Sequence, residues 1–85
     1  MVTMEKLGES RTSKKLGNHR VEVCGKIRKY FYYNTEIARE EIATDTYWVD
    51  PSYGTRSTKE ACNAYREYFD SNGLVEVEVG AIVNG

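Results

Sequence analysis

The chain has 85 residues, 40% of them hydrophobic and 29% charged, with a formal net charge of −1. A chain of this length forms one domain and buries only about 60–70% of its unfolded surface, so its core is small, and a second copy in a homodimer is one candidate partner. A net charge near zero excludes the class of nucleic-acid-binding proteins whose affinity depends on overall basicity.

Charge and hydropathy vary along the chain. Residues 1–30 contain eight Lys or Arg against three Glu, whereas residues 31–85 contain four Lys or Arg against ten acidic residues. One end is therefore basic and the rest is acidic. No apolar run approaches the roughly 18 residues of a membrane helix, and the N-terminal segment lacks the apolar core of a secretory signal. We therefore predict a cytoplasmic protein with no membrane partner.

The first 17 residues combine Lys and Arg with Gly, Ser and Thr and show no sustained apolar period. Little in such a segment offsets the entropy lost on ordering it. We predict a flexible basic tail over residues 1–17, either solvated or in contact with an acidic partner or with phosphates. A single α+β domain is predicted over residues 18–85.

A period of two begins at His19 and indicates a strand, with Val21, Val23 and Ile27 on one face and Gly25 as a bulge or turn. The aromatic run that follows suits a pleated surface. A second strand is therefore predicted over residues 29–39, with a kink at Asn34. A hairpin near residues 40–45 leads to a third strand over residues 46–49.

Helical signals follow Asp50–Gly54, where Pro51 ends the third strand. Ser57 and Glu60 fit a capping box, in which each side chain pairs with the backbone N–H of the other residue. An amphipathic helix is predicted over residues 57–71, and its apolar face consists of Ala61, Cys62, Tyr65, Tyr68 and Phe69. Asn72-Gly73 closes it.

Residues 74–79 alternate as a final strand, with Glu76 and Glu78 on its solvent-exposed face. The predicted fold class is α+β. It comprises a small antiparallel sheet of about four strands, in the order β-β-β-α-β, with the amphipathic helix packed on one face.

The residue types present do not predict a catalytic site or a metal site. A nucleophilic enzyme needs a base beside its nucleophile, and the only histidine, His19, lies at the edge of the predicted tail. With Cys24 and Cys62 it falls short of the four ligands of a closed zinc site. Separate thiols are the cytoplasmic expectation, although the sequence leaves a disulfide open. The seven glycines form no phosphate loop, so we expect no cofactor and no enzymatic activity.

Four consecutive aromatic residues occupy positions 30–33 and follow three basic residues, Lys26, Arg28 and Lys29. Because neighbouring side chains on a strand point to opposite faces, some of these rings must be exposed. Exposed rings beside cations stack the bases of single-stranded nucleic acid in many proteins. Tyr and Arg are also enriched at protein–protein hot spots. Lys26, Arg28, Tyr30 and Tyr32 are therefore candidate binding residues.

A second candidate site precedes the predicted helix, where Tyr53 and Arg56 flank Gly54 and Thr55. A loop of this kind can stabilise the crossover from strand to helix through hydrogen bonds to its own backbone. It can also present Tyr53 and Arg56 to a ligand. Both interpretations remain open.

Three segments, Tyr32–Ala38, Ser52–Thr58 and Asn63–Arg66, resemble a pattern in small uncharacterised proteins of bacteriophages and prophages. In that pattern an aromatic strand, a Thr-x-Ile-Ala strand, an acidic turn and a further strand precede a Gly-Thr-x-Ser-Thr turn and a helix with Asn-Ala-Tyr. The resemblance covers about residues 20–70 and brings no catalytic residues. It implies a role in host takeover, in blocking a defence system such as CRISPR–Cas, or in phage DNA metabolism.

These observations lead to two hypotheses of different class. The first is a non-enzymatic phage accessory protein that binds a host or phage protein, for example as an anti-defence inhibitor. The alternative is a module that binds single-stranded nucleic acid through the basic and aromatic strand. The two differ in salt dependence, which is steep for binding to a phosphate backbone.

Overall fold

A computed structural model describes residues 2–82, except for the side chains of Val2 and Thr3. The α+β class predicted from the sequence is confirmed. In chain order the elements are α1 (Val2–Gly8), β1 (Lys14–Leu16), β2 (His19–Cys24), β3 (Ile27–Tyr32), β4 (Thr35–Glu41), β5 (Thr46–Val49), α2 (Arg56–Ser71) and β6 (Val75–Glu76).

All six strands belong to one sheet, in the spatial order β1-β2-β3-β4-β5-β6. Strands β1 to β5 form an antiparallel meander, and α2 is the crossover that brings β6 parallel to β5. The prediction of about four antiparallel strands is therefore wrong in number and in the last pairing. One reason is that the single strand predicted over residues 29–39 is a hairpin, which turns at Tyr33-Asn34 instead of kinking.

The N-terminal segment is not the flexible tail that its composition suggested, because residues 2–16 contain α1 and β1. Met4 and Leu7, one helical turn apart, are both buried in the core. A Cβ atom at Gly8 would overlap the ring of Tyr68, so the missing side chain lets α1 lie directly against α2. The ordering of this segment thus depends on docking to α2 and could not be read from its own apolar period.

Gly25 lies in a two-residue hairpin turn between β2 and β3, with a positive φ of 62°. The turn reverses the chain and pairs Ile27 with Cys24. Ile27 therefore faces away from Val21 and Val23, and the prediction that the three share a face is wrong. The predicted hairpin near residues 40–45 is confirmed by the pairing of Glu41 with Thr46.

Helix α2 begins one residue earlier than predicted, because Thr55 is its N-cap. The Thr55 Oγ1 atom accepts a hydrogen bond from the Thr58 backbone N–H at 3.2 Å, so the predicted Ser57–Glu60 capping box is wrong. At the other end the predicted closure is confirmed. Gly73 has a φ of 81° and donates to the Asp70 carbonyl, and Leu74 donates to the Phe69 carbonyl, which is the Schellman pattern.

The core lies between α2 and one face of the sheet, here called the inner face. The predicted apolar face of α2 is confirmed: four of its five side chains are buried, and Tyr68 is half-buried beside α1. Aromatic rings dominate the contact, with Phe69 packed against Tyr30 at a centroid distance of 5.2 Å and against Tyr47 at 4.8 Å. Such ring pairs add to the free energy gained by burying apolar area.

A buried ion pair crosses the inner face. The Arg28 guanidinium donates to both carboxylate oxygens of Glu40 at 3.3 Å and to the Ser10 carbonyl at 3.2 Å. The Tyr30 hydroxyl donates to the same carboxylate at 2.9 Å. Burial and the Glu40 charge both raise the pKa of Tyr30, so its hydroxyl remains a donor throughout the physiological range. The network satisfies the buried Glu40 carboxylate and the buried Tyr30 hydroxyl with the guanidinium of Arg28, whose side chain is 15% exposed.

Replacing Glu40 with Ala leaves the buried Arg28 charge without its carboxylate and Tyr30 without its acceptor. We expect Glu40→Ala to lower the free energy of unfolding by about 3 kcal/mol, as is usual when one partner of a buried pair is removed. The matched control is Glu41→Ala on the opposite face of the same strand, which should cost less than about 1 kcal/mol. Urea denaturation measures both, and equal losses would contradict a special role for the network.

The opposite, outer face of the sheet is partly covered by residues 77–82. Ile82 packs on Ile27 and Trp48, with Val77 at the edge of this cluster. The Arg39 guanidinium donates to the Ile82 carbonyl at 3.0 Å and lies 5.4 Å from the Trp48 ring. The predicted strand over residues 74–79 accordingly stops at Glu76, because the chain then turns onto the outer face.

Trp48 is the only tryptophan, so its fluorescence reports whether residues 77–82 stay on the outer face. We expect Ile82→Ala to shift the emission of Trp48 to longer wavelength and to lower the free energy of unfolding by about 2 kcal/mol, because the ring loses its apolar cover. Val79→Ala, at an exposed position of the same segment, is the control. An unchanged emission spectrum in both variants would show that Ile82 does not cover the ring.

Candidate binding surface

The predicted basic and aromatic site divides between the two faces of the sheet. Tyr30 is fully buried, and Arg28 is held by Glu40 beneath the surface. Tyr32 is half-buried on the inner face, where its ring lies 5.0 Å from that of His19. These three side chains therefore serve the contact with the helices, and none is a free ring or cation for a ligand.

The other three predicted residues are exposed but lie in two separate places. Lys26 occupies the turn between β2 and β3. Tyr53 is 49% exposed in the loop before α2, and Arg56 at the start of α2 has a 94% exposed side chain that pairs with Glu60. An exposed pair of this spacing stabilises a helix only slightly, so Arg56 remains free to meet a partner.

A group of polar and aromatic side chains meets at one end of the outer face, where the β1–β2 turn and the β3–β4 turn lie side by side. The two turns are joined by a hydrogen bond of 2.7 Å from the Tyr33 N–H to the Asn18 carbonyl. We call this region the open outer surface. It consists of Lys15, Asn18, Arg20, Phe31, Tyr33 and Asn34.

Strand register explains why cations and rings alternate here. Lys15 is opposite Arg20, and Arg20 is opposite Phe31, so the three side chains form one row across β1, β2 and β3. The Arg20 guanidinium carbon lies 4.3 Å from the centroid of the Phe31 ring, within cation–π range. The same guanidinium pairs with Glu22 at 2.9 Å and donates to the Asn34 side chain at 3.4 Å. Arg20 is therefore fixed in place.

Tyr33 is the most exposed ring of this surface, at 60%. Its φ of 56° is in the left-handed region, which is unfavourable for a residue with a bulky side chain. Its hydroxyl accepts a hydrogen bond from the Asn18 side-chain amide at 3.1 Å, and its ring meets Tyr32 edge to face at 4.8 Å. These contacts hold a strained, exposed ring in one position, and strain of this kind clusters at binding sites.

A shallow depression of about 110 Å³ lies between the two turns. It is lined by Lys15, Asn18, Arg20, Tyr33 and Asn34. Two of these five side chains are cationic and none is acidic. The depression therefore presents hydrogen-bond donors and positive charge in a protein whose net charge is −1.

Groups with catalytic potential lie outside this surface, with the His19 imidazole on the inner face and the Cys62 thiol on α2. The His19 Nδ1 atom and the Tyr65 hydroxyl share a hydrogen bond of 3.1 Å. The Cys62 thiol donates to the Asp50 carbonyl, and burial raises the pKa of this thiol, which disfavours the thiolate. Cys24 and Cys62 are both free, so the disulfide that the sequence left open does not form. Within residues 2–82 no three His, Cys, Asp or Glu side chains are grouped to hold a metal ion.

Within the described part of the chain, no helix is both long enough and apolar enough to span a membrane. Comparison with family models, with curated proteins and with solved structures finds no match to this chain. The resemblance to phage proteins therefore stays a prediction. A function is therefore inferred from the residues of the open outer surface.

The sequence pointed to the aromatic run but not to Lys15, Asn18 or Asn34. Gly17-Asn18 is a dipeptide that favours two-residue hairpins, and the pairing of Leu16 with His19 shows that it forms one. This signal could have revealed the β1–β2 hairpin. The approach of the two turns is a consequence of sheet topology, because both lie at the same end of a meander.

The partial burial of His19 beside Tyr65 predicts a pH-dependent stability. Burial lowers the pKa of His19 from 6.5, so the folded protein binds a proton less readily than the unfolded chain. The neutral imidazole thus contributes stability that is fully present above pH 6.5 and is lost as the pH falls through the lowered pKa. Urea denaturation between pH 7.5 and about 5 should show this loss in the native protein.

His19→Gln is the matched variant, because the amide can still hydrogen-bond Tyr65 but does not titrate. Its free energy of unfolding should be flatter over the same pH range. A slope as steep as that of the native protein would assign the pH dependence to other groups.

Proposed function

We propose that the chain is a non-enzymatic accessory protein that binds a host or phage protein through the open outer surface. One observation carries the proposal. Phe31 lies beside Arg20 in the row that begins at Lys15, and Tyr33 is held by Asn18 at the end of that row, on the half of the outer face that residues 77–82 do not reach. Rings flanked by cations in a rigid setting are typical of protein–protein hot spots.

Rigidity is the property that makes this surface suitable for binding. A partner that docks on a mobile side chain must offset the entropy of fixing it, at about 0.5–1.5 kcal/mol per flexible side chain. Arg20 already holds Glu22, Asn34 and the Phe31 ring, and Tyr33 is tied to Asn18. These side chains have therefore already lost their conformational entropy on folding, and a partner does not have to order them.

The contrast between the two halves of the outer face supports the same conclusion. Around Trp48 the apolar surface is shielded by Ile82 and Val77, as expected for a face with no partner. Tyr33 has no such cover in the described chain and adopts a backbone conformation that costs free energy. An exposed aromatic side chain kept at a cost in stability is a reason to infer a binding role.

The phage resemblance suggests the kind of partner. A small phage protein that acts on its host commonly does so by covering a surface of a host protein, for example a component of a defence system, which requires no catalytic group. The open outer surface and a chain of 85 residues suit this mode of action. An anti-defence inhibitor is accordingly the specific form in which we propose the function.

The test is capture of a partner from host lysate with the tagged chain, followed by mass spectrometry. We expect one dominant protein, and we expect Tyr33→Gly to reduce its recovery at least about tenfold, the loss typical of a hot-spot residue. Glycine accepts the positive φ at this position, so the fold should be retained.

The matched control is Tyr53→Gly, which removes a comparably exposed ring from the other predicted site. It should leave recovery unchanged. The opposite outcome, loss with Tyr53→Gly and not with Tyr33→Gly, would move the interface to the loop before α2. Recovery of nothing above background would reject the proposal for that host.

Single-stranded nucleic acid is a second candidate ligand, favoured by the row of Lys15, Arg20 and Phe31. Against it stands the acidic remainder of the chain, which repels a phosphate backbone. Fluorescence polarisation with labelled single-stranded DNA and RNA separates the two. Binding that weakens steeply with salt would favour nucleic acid, and its absence at low salt would leave the protein partner.

A further inference from the structure

We infer that the depression between the two turns is a carboxylate-binding pocket, which receives an Asp or Glu side chain of the protein partner. The inference rests on the proposed function and adds the chemistry of the partner to it. The carboxylate would lie between the Lys15 ammonium group on one side and the Asn18 and Asn34 amides on the other.

The donors around the depression fit an anion. Lys15 contributes an exposed ammonium group, and the Asn34 side-chain amide contributes two N–H donors. The Asn18 amide contributes the N–H that does not donate to the Tyr33 hydroxyl. The Tyr33 hydroxyl, which accepts from Asn18, has its own proton available. A carboxylate accepts several such bonds at once, and bonds to an ionised acceptor are stronger than those between neutral groups.

Charge selects against a cationic or neutral ligand. Glu22 is the acidic residue in contact with this surface, and it is engaged by the Arg20 guanidinium at 2.9 Å. The remaining lining is cationic or neutral, so Lys15 has no acidic neighbour among the residues that line the depression. A ligand carboxylate would supply the missing partner.

Two observations favour a carboxylate over a phosphate. Phosphate sites are typically built from helix N-termini or from successive backbone N–H groups, whereas the donors here are side chains of β1 and of two hairpin turns. The acidic remainder of the chain also disfavours a long polyanion, but it does not prevent a single acidic side chain from entering a local cationic pocket. The ligand chemistry is thus that of an acidic protein segment.

The pocket is formed before any ligand arrives. The hydrogen bond from Tyr33 to the Asn18 carbonyl fixes the distance between the turns, and the bond from Arg20 to Asn34 orients the second amide. Donors that are already oriented lose little entropy on binding. This arrangement also gives specificity, because a partner lacking the acidic side chain would leave the Lys15 ammonium group without an opposite charge.

The first test uses the full chain and needs no partner. Nuclear magnetic resonance titration of the ¹⁵N-labelled protein with sodium acetate, at constant ionic strength with chloride, should shift the backbone amides of residues 15–20 and 33–34 and saturate. Lys15→Gln should weaken the binding of acetate at least about fivefold, because the substitution removes the ammonium group that is free to pair with it.

Lys14→Gln is the matched control, since Lys14 is equally exposed on the same strand but lies outside the depression. Lys14→Gln should bind acetate with the same affinity as the native protein. Failure of acetate to saturate, or equal titrations of the two variants, would overturn the inference. Inorganic phosphate that binds more than about tenfold more tightly than acetate would overturn the choice of a carboxylate and favour a phosphate ligand.

The second test separates this inference from the proposed function. In the captured complex, Lys15→Gln should lower recovery of the partner, whereas Lys14→Gln should not. If Tyr33→Gly loses the partner but both lysine variants bind it equally, the proposed protein-binding function is retained and the carboxylate pocket is rejected. If acetate saturates the pocket but no partner is captured, the carboxylate pocket is retained and the proposed protein-binding function is rejected.

Discussion

The aromatic rings of α2 and of the inner face pack into a core that includes three tyrosine hydroxyl groups. The need to give each buried hydroxyl a hydrogen-bond partner constrains the rest of the molecule. Burial of the rings of Tyr30, Tyr65 and Tyr47 stabilises the fold only if each hydroxyl has a hydrogen-bond partner. The partners are Glu40, His19 and Glu76. A buried carboxylate in turn requires Arg28, so a basic residue of the aromatic strand is committed to the interior.

Because the inner face is committed in this way, binding chemistry is left to the outer face and to the loops. The chain covers one half of the outer face with its own residues 77–82 and leaves the other half to a row of cations and rings. The meander then brings two hairpin turns together at the end of that row. The open outer surface is thus a product of strand alternation, strand order and one hydrogen bond from Tyr33 to Asn18.

Local patterns in the sequence predicted the elements that depend on local physics. The apolar face of α2, its end at Gly73, the turn after Glu41 and the α+β class are all confirmed. The elements that depend on distant contacts were missed. α1 is stable because Gly8 lets it approach Tyr68, and the apparent basic and aromatic site is divided because alternate residues of β3 face opposite sides. Neither fact is encoded in a window of neighbouring residues.

The position of β1 affects how copies of the chain meet each other. It is an edge strand, and its three residues include Lys14 and Lys15, whose side chains point to opposite faces of the sheet. In an antiparallel pairing of β1 with β1 centred on Lys15, the two Lys15 side chains would lie opposite each other, and like charges opposite one another are destabilising. The lysine that we assign to partner recognition therefore also discourages self-association, so that the same edge can remain open at the concentrations reached during expression.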